Sequence, residues 1–326
     1  MPVIETKDLG KDFKVLKKKA GLGGALRGLA SRKYKTVRAL HDVNISIEEG
    51  EFVGIIGPNG AGKSTAIKIL TGILNPSKGE AKCLGYVPYK ERKRYVKNIG
   101  VVFGQRTQLW WDLPAQDSFE LLKGIFQVPE KVYRSNMRKF KKVLDIHKYM
   151  LTPVRKLSLG ERMRCDIAAS LLHNPRMVFL DEPTIGLDID AKFRIREFLK
   201  ERNRKGTTII LTTHDMGDIE ELCPRTIIID KGTIIYDGPT EKIREKVVTE
   251  KSVKVDYLTK APRFKLPRGV RVKKREKTSV TYLIDRRKTS VSGFIKNLFS
   301  KYKVEDIAID EPSIEEIIRK IYLEGI

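Results

Sequence analysis

Two stretches of the chain carry almost no polar side chains: Phe-Val-Gly-Ile-Ile at 52–56 and Met-Val-Phe-Leu at 177–180. Short apolar runs bounded by glycine and charge predict strands buried on both faces. Segments 207–211 and 225–229 share the character. Between them the apolar spacing widens to three and four, which predicts a helix from 62 to about 72 and helical structure over about 114–174. Weak alternation at 3–13 predicts a first strand, and 43–56 reads as two strands joined by the turn Glu48-Glu49-Gly50. Strand and helix alternating in this way give an α/β fold with a mostly parallel sheet.

Near residue 248 the pattern changes. Strands are expected at 252–258, 270–274, 279–284 and 304–309, with helices at 291–302 and 313–322. The organisation expected is a first domain at 1–247 with a helical subdomain at about 114–174, followed by a small α+β domain at 248–326.

Charge adds one constraint. Sixty-five Lys and Arg stand against 41 Asp and Glu, a formal net charge of +24. The surface therefore suits an acidic partner, whether nucleic acid, anionic lipid or phosphate. Residues 14–38 concentrate this charge in Lys14, Lys17, Lys18, Lys19, Arg27, Arg32, Lys33, Lys35 and Arg38, with no acid among them. The glycine-rich middle of this insertion is a poor helix. It reads either as a solvated loop or as a contact with anionic headgroups. Cys83, Cys165 and Cys223 show no paired spacing, so neither a disulfide framework nor a zinc site is expected, and a reducing compartment fits. No apolar run approaches the roughly 18 residues that would span a bilayer.

The chemistry begins at Gly57-Pro58-Asn59-Gly60-Ala61-Gly62-Lys63-Ser64-Thr65, which fits GxxxxGK[ST] between a predicted strand and a predicted helix. Backbone N–H groups of such a loop wrap phosphate oxygens, and the helix start adds partial positive charge. Lys63 is expected to reach the β- and γ-phosphates of ATP, and Ser64 to ligate Mg²⁺. The apolar strand at 177–180 ends in Asp181-Glu182. Open α/β sheets place ligands at that edge. Asp181 is expected to hold Mg²⁺, directly or through water, and Glu182 to polarise an attacking water.

A third segment, Leu157-Ser158-Leu159-Gly160-Glu161-Arg162, opens a helical run about twenty residues before Asp181. It resembles the LSGGQ signature of ATP-binding cassette (ABC) proteins. Gln105 after a strand, Asp188 in Gly186-Leu187-Asp188, and His214 after a strand stand in the order of that family across about 3–247. The resemblance implies a P-loop NTPase cassette: a mixed, mostly parallel sheet, an antiparallel β subdomain and a helical subdomain. It also implies two cassettes packed head to tail around two ATP molecules, with Ser158, Gly160 and Glu161 of one facing the phosphate loop of the other. Gln105 would then sense Mg²⁺ and the water, His214 would bond the γ-phosphate and position Glu182, and Asp188 would belong to the D-loop. An aromatic near the first strand would stack on adenine; Phe13 is the candidate and Tyr34 the rival. His41, His147 and His173 read as packed or surface residues. The chain departs from the pattern at Leu159, where glycine is usual, and at Glu161, where glutamine is usual.

One motif set implies a second copy or a close paralogue. The resemblance extends to ABC transporters, whose segment after the glutamine meets a transmembrane permease; here it holds Trp110 and Trp111. Asp310-Glu311-Pro312-Ser313 resembles the ending of exporter ATPases. The expectation is an ATPase subunit at the cytoplasmic face of the membrane, held there through permease subunits and in part by an anionic membrane surface. The alternative is a soluble ABC ATPase acting on nucleic acid or ribosomes. Such proteins usually carry two cassettes or coiled-coil insertions, which this sequence does not show.

Overall fold

The computed structural model describes residues 2–16, 34–104, 106–247 and 250–310. The chain divides into two compact units, Met1–Gly238 and Pro239–Ile326. The division falls before the helix Thr240–Val247, whereas the sequence pattern suggested a boundary after it.

In chain order the first unit contains β1 (Pro2–Leu16), β2 (Tyr34–Val43), β3 (Ser46–Glu48), β4 (Phe52–Ile56), α1 (Lys63–Leu70), β5 (Lys78–Cys83), α2 (Arg92–Tyr95) and β6 (Ile99–Phe103). There follow α3 (Ala115–Ile125), α4 (Glu130–Val143), α5 (Leu159–Ser170), β7 (Met177–Asp181), α6 (Ile189–Arg204), β8 (Thr208–Thr212), α7 (Met216–Leu222), β9 (Arg225–Asp230) and β10 (Thr233–Pro239). Six strands form one sheet in the order β10-β9-β4-β8-β7-β6, and β9-β4-β8-β7-β6 run parallel. Every residue of β4 and β8 is buried, which is why these strands read as unbroken apolar or threonine-bearing runs rather than alternations.

A second, antiparallel layer is built on β1, which pairs with β2, β3 and β5. Ile4, Leu9, Val43, Ile47 and Ala81 from this layer share a core with Ile67 of α1 and with Phe179 and Ile210 of the large sheet. That shared core fixes α1, and with it the loop before α1, against the end of β4. The ends of the basic insertion belong to this layer: Lys14 pairs with Thr36 and Val15 with Lys35. Their side chains are exposed on both strands, so no apolar alternation marks them as strand. The middle of the insertion, 17–33, lies outside the described residues.

The helical region resolves into α3, α4 and α5. The first two bury one face each: Ala115, Phe119 and Leu122 in α3, and Tyr133, Met137 and Phe140 in α4, the spacing of amphipathic helices. Phe140 packs edge-on against Phe198 of α6, with ring centroids 5.8 Å apart. From Met163 to Ser170, α5 is buried all round.

The second unit contains α8 (Thr240–Val247), β11 (Glu250–Tyr257), β12 (Val270–Arg275), β13 (Ser279–Asp285), α9 (Val291–Lys301) and β14 (Val304–Asp310). Its sheet runs β12-β13-β11-β14, antiparallel throughout. Val253, Val255, Val280, Tyr282 and Ile284 line one face and pack with Phe294 and Leu298 of α9. The expected last helix at 313–322 lies outside the described residues. All three cysteines are buried, and none is in a disulfide.

Candidate active site

Parallel strands deliver their C-terminal ends to one edge. Ile55, Thr212, Asp181 and Phe103 are register neighbours across β4-β8-β7-β6. The loops that follow these four residues therefore emerge side by side, and they contain the phosphate-loop motif, Asp181-Glu182, the Thr213-His214 pair and the segment after Phe103. Gln105 lies outside the described residues. Its neighbour Gly104 donates its N–H to the Asp181 carbonyl at 2.7 Å, which ties that segment to the carboxylate pair.

These loops border a cleft of about 480 Å³ lined by Asn59 to Thr65, by Asp181 and Glu182, and by Ala39 from β2. The volume is that of a small-molecule site. Gly62 stands at φ +113°, and a Cβ there would come within 2.6 Å of the Ala39 carbonyl oxygen, so glycine is required. It starts α1 with no side-chain cap and with no acid in the first turn. The first N–H groups of the helix are thus available to an anion. Lys63 is buried beside the loop, and its ammonium donates to the Gly57 carbonyl at 2.6 Å and to Pro58 at 3.3 Å. Burial pulls its pKa below the ordinary lysine value, while Glu182 and Asp181 pull the other way. Uncapped amides and a lysine with acids nearby suit a triphosphate.

Ser64 Oγ donates to Asp181 Oδ1 at 3.4 Å, and Thr212 Oγ1 donates to the same oxygen. A hydroxyl and a carboxylate oxygen from adjacent loops form the donor set that Mg²⁺ takes when it completes its shell with water and phosphate. Among the described residues there is no group of three or more His, Cys, Asp or Glu that could hold a metal.

Glu182 sits at φ +56°, in the left-handed region that non-glycine residues seldom occupy. Its N–H donates to the Thr212 carbonyl at 2.9 Å. One carboxylate oxygen, Oε2, lies 2.6 Å from His214 Nδ1. The other three histidines stand apart from the cleft. His147 is exposed beside Asp145, His41 is partly buried, and His173 stacks on Phe126 with centroids 4.0 Å apart. Burial pushes the His173 pKa down to about 4.

Ser158 caps α5. Its Oγ accepts from the Glu161 N–H at 3.3 Å, and Glu161 Oε2 accepts from the Ser158 N–H at 2.8 Å. This reciprocal pair gives the departure at Glu161 a local reason: the carboxylate closes a capping box and meets the positive end of the helix. The departure at Leu159 has a steric counterpart. Gly186 is at φ +68°, and a Cβ there would lie 2.7 Å from Leu159 Cδ2, so the leucine sits directly on the turn before α6. Asp188 caps α6, its Oδ1 accepting from the Ala191 N–H at 2.7 Å. Ser158, Gly160, Glu161 and Asp188 do not line the cleft that holds Lys63.

The two adenine candidates lie on the β1–β2 ribbon. Phe13 pairs with Val37 and has the Lys11 ammonium 5.4 Å from its ring centroid; Tyr34 is half exposed at the far end of β2. Neither lines the cleft, whose contribution from the ribbon is Ala39. Trp110 and Trp111 are 39% and 48% exposed, so neither is a core residue. The Arg162 guanidinium lies 5.3 Å from the Trp111 ring centroid. Beneath them Asp166 of α5 accepts from Thr107 Oγ1 at 2.9 Å and from the Gln108 N–H at 3.0 Å. Its pKa is raised to about 6 by burial. Sequence patterns did not single out Thr184, Thr212, Thr213 or Asp218, although the threonines flank the recognised carboxylates and His214.

Residues 40–185 match the sequence profile of the ABC transporter family. The chain is 33% identical over 238 residues to the ABC transporter ATP-binding protein NatA of Bacillus subtilis (strain 168), covering 73% of this chain and 94% of that one. It is 28% identical over 298 residues to the daunorubicin resistance ATP-binding protein DrrA3 of Streptomyces coeruleorubidus, covering 88% and 92%. Among solved structures it resembles the dimeric ATP-binding cassette MJ0796 in a post-hydrolysis state with ADP and Pi, at TM-score 0.60 and 27% identity over 72% of this chain and 98% of that one. The chain belongs to the ABC transporter family as an ATP-binding, ATP-hydrolysing subunit.

Proposed function

We propose that this subunit energises an exporter by closing around ATP as a dimer at composite sites. The observation that carries the reading is the cleft at the sheet edge where Lys63, Ser64, Asp181 and Glu182 meet, with His214 on Glu182. Lys63 and the amides of Gly60 to Ser64 hold the β- and γ-phosphates. Mg²⁺ held by Ser64 and Asp181, with Gln105 as the third protein group, would neutralise charge on the phosphate oxygens. Glu182 accepts a hydrogen bond from the water that attacks phosphorus, and His214 keeps that carboxylate in place. Most of the rate gain comes from positioning and charge rather than from covalent chemistry.

Ser158 and Gly160 of one subunit complete the site of a second copy or close paralogue. Their place outside their own subunit's cleft supports this arrangement, as does the dimeric state of the similar cassette. The exposed pair Trp110 and Trp111 docks a transmembrane permease, since exposed aromatics dominate such contacts. Among the described residues no helix is long and apolar enough to cross a membrane, so the permease supplies the pathway. The site of action is then the cytoplasmic face of the membrane, where the basic stretch 14–38 meets anionic headgroups. Each basic residue close to such a surface contributes about 1 kcal/mol at low salt. The export direction draws on the similarity to DrrA3, named for daunorubicin resistance, which reaches into the second unit. Purification of the tagged subunit from membranes tests the account. A multi-span hydrophobic partner is expected, and recovery with ribosomes or RNA instead would contradict it.

A further inference from the structure

Asp218 is fully buried on α7, away from the cleft lining, and four donor atoms converge on its carboxylate. Arg196 of α6 donates from Nε to Oδ1 at 2.7 Å, and its Nη2 lies 2.6 Å from the same oxygen. Thr184 Oγ1 donates to Oδ2, and so does Thr213 Oγ1 at 3.3 Å. Thr184 stands two residues after Glu182. Thr213 immediately precedes His214. The Asp215 N–H donates to Thr213 Oγ1 at 2.9 Å, which sets the hydroxyl.

We infer that Asp218 is a positioning residue for hydrolysis, holding Glu182 and His214 in their paired geometry through Thr184 and Thr213. This rests on the proposed roles of Glu182 and His214. Three separate backbone segments meet at one buried carboxylate: the turn after β7, the turn after β8, and α6, whose first turn is capped by Asp188. A buried charge persists only when paired and bonded, and here the two hydroxyl partners belong to residues that closely follow Glu182 and directly precede His214. Glu182 is held at a positive φ, a conformation that survives only where its surroundings over-determine it. The Thr184 bond is one of those constraints. The Arg196 bond extends the block to the helix that starts at Asp188, so a shift of that turn is carried to the Glu182–His214 pair.

Asp218→Asn keeps the shape and removes the charge. The expected result is a kcat for ATP lowered about 10- to 100-fold, the loss that displacement of a catalytic group by about 1 Å produces. The KM and the binding of labelled ATP stay within about twofold, because Lys63 and its loop make no contact with Asp218. Thr184→Val removes one hydroxyl at constant volume and should lower kcat in the same way, and Thr184→Ser should restore it. A purely structural role would follow folded fraction and would not separate kcat from ATP binding. Near-parental kcat in folded Asp218→Asn, or failure of Thr184→Ser to recover what Thr184→Val loses, overturns the inference. If Asp218→Asn does not fold, the Thr184 pair decides alone. Glu182→Gln in the same series separates the levels: if it too turns over normally, the proposed role of Glu182 has failed rather than the role of Asp218.

Discussion

His214 Nδ1 and Glu182 Oε2 lie 2.6 Å apart, joining the loops after β8 and β7. A neutral imidazole carries a single N–H. If that N–H points at Glu182, Nε2 is an acceptor and has nothing to give a phosphate oxygen. His214 can donate to both only as imidazolium. His214→Ala should lower kcat by at least about 100-fold, in the range of lost acid–base or orienting groups, with nucleotide binding changed far less. Steady-state kinetics with parallel ATP-binding measurements check this.

Lys63→Ala removes the ammonium that the loop carbonyls of Gly57 and Pro58 now hold. A charge-assisted contact of this kind contributes about 1.5–3 kcal/mol, so affinity for ATP should fall at least tenfold. Labelled-nucleotide binding measures it directly, and unchanged affinity would remove Lys63 from the phosphate site.

Ser158→Ala has two separable consequences. Loss of the cap on α5 should cost about 1 kcal/mol of stability, read from denaturant unfolding. Loss of the hydroxyl should also disable the partner's site. Mixing Ser158→Ala with Lys63→Ala subunits puts both lesions into one site of the heterodimer and leaves the other intact. ATPase activity should reappear on mixing; confirmed heterodimers without recovery would argue against head-to-tail packing.

His173 supplies a pH signature that has nothing to do with catalysis. Its folded pKa of about 4 lies below the unfolded value near 6.5. The unfolded chain therefore binds the proton first. The contribution of neutral, buried His173 is present above about pH 6.5 and is lost as pH falls toward 4, amounting to about 2–3 kcal/mol. Asp166 works in the opposite sense, because its pKa is raised to about 6, so the whole-protein curve mixes both. The clean comparison is His173→Phe against the parent at pH 7 and pH 4.5 by urea unfolding. The parent should lose more stability between the two than the variant does; equal losses would show that His173 is solvated.

The strands that place the site were legible because they are buried on both faces: 52–56 and 177–180 have no solvent side to interrupt them. The ribbon ends near Lys14 and Lys35 were not, since both faces there are exposed and carry charge. β5 escaped notice for a related reason: of Lys78 to Cys83 only Ala81 and Cys83 are buried. Motif residues that touch phosphate follow fixed spacings and could be read directly. Asp218 could not, because Thr184 and Arg196 are distant from it in sequence and reach it only through the fold. Trp110 could be read equally as core or surface, and Trp111 more readily as surface, until their exposure was known.

Trp111→Ala should leave the ATPase activity of the isolated subunit within about twofold, since Trp111 does not line the cleft. It should reduce co-purification with a membrane partner, where removal of a hot-spot aromatic costs about 2 kcal/mol or more. Recovery of the partner at the parental level would place the docking surface elsewhere.

Glu182→Gln tests the central claim most directly. The substitution keeps the side-chain length and the neighbouring Lys63, Ser64 and Asp181, and removes the carboxylate that accepts from the attacking water. Nucleotide bound to the purified variant after incubation with ATP and Mg²⁺ is identified by chromatography alongside the oligomeric state. The account predicts intact ATP in a stable dimer and turnover reduced at least about 100-fold. ADP as the bound species, with turnover near that of the parent, would contradict it.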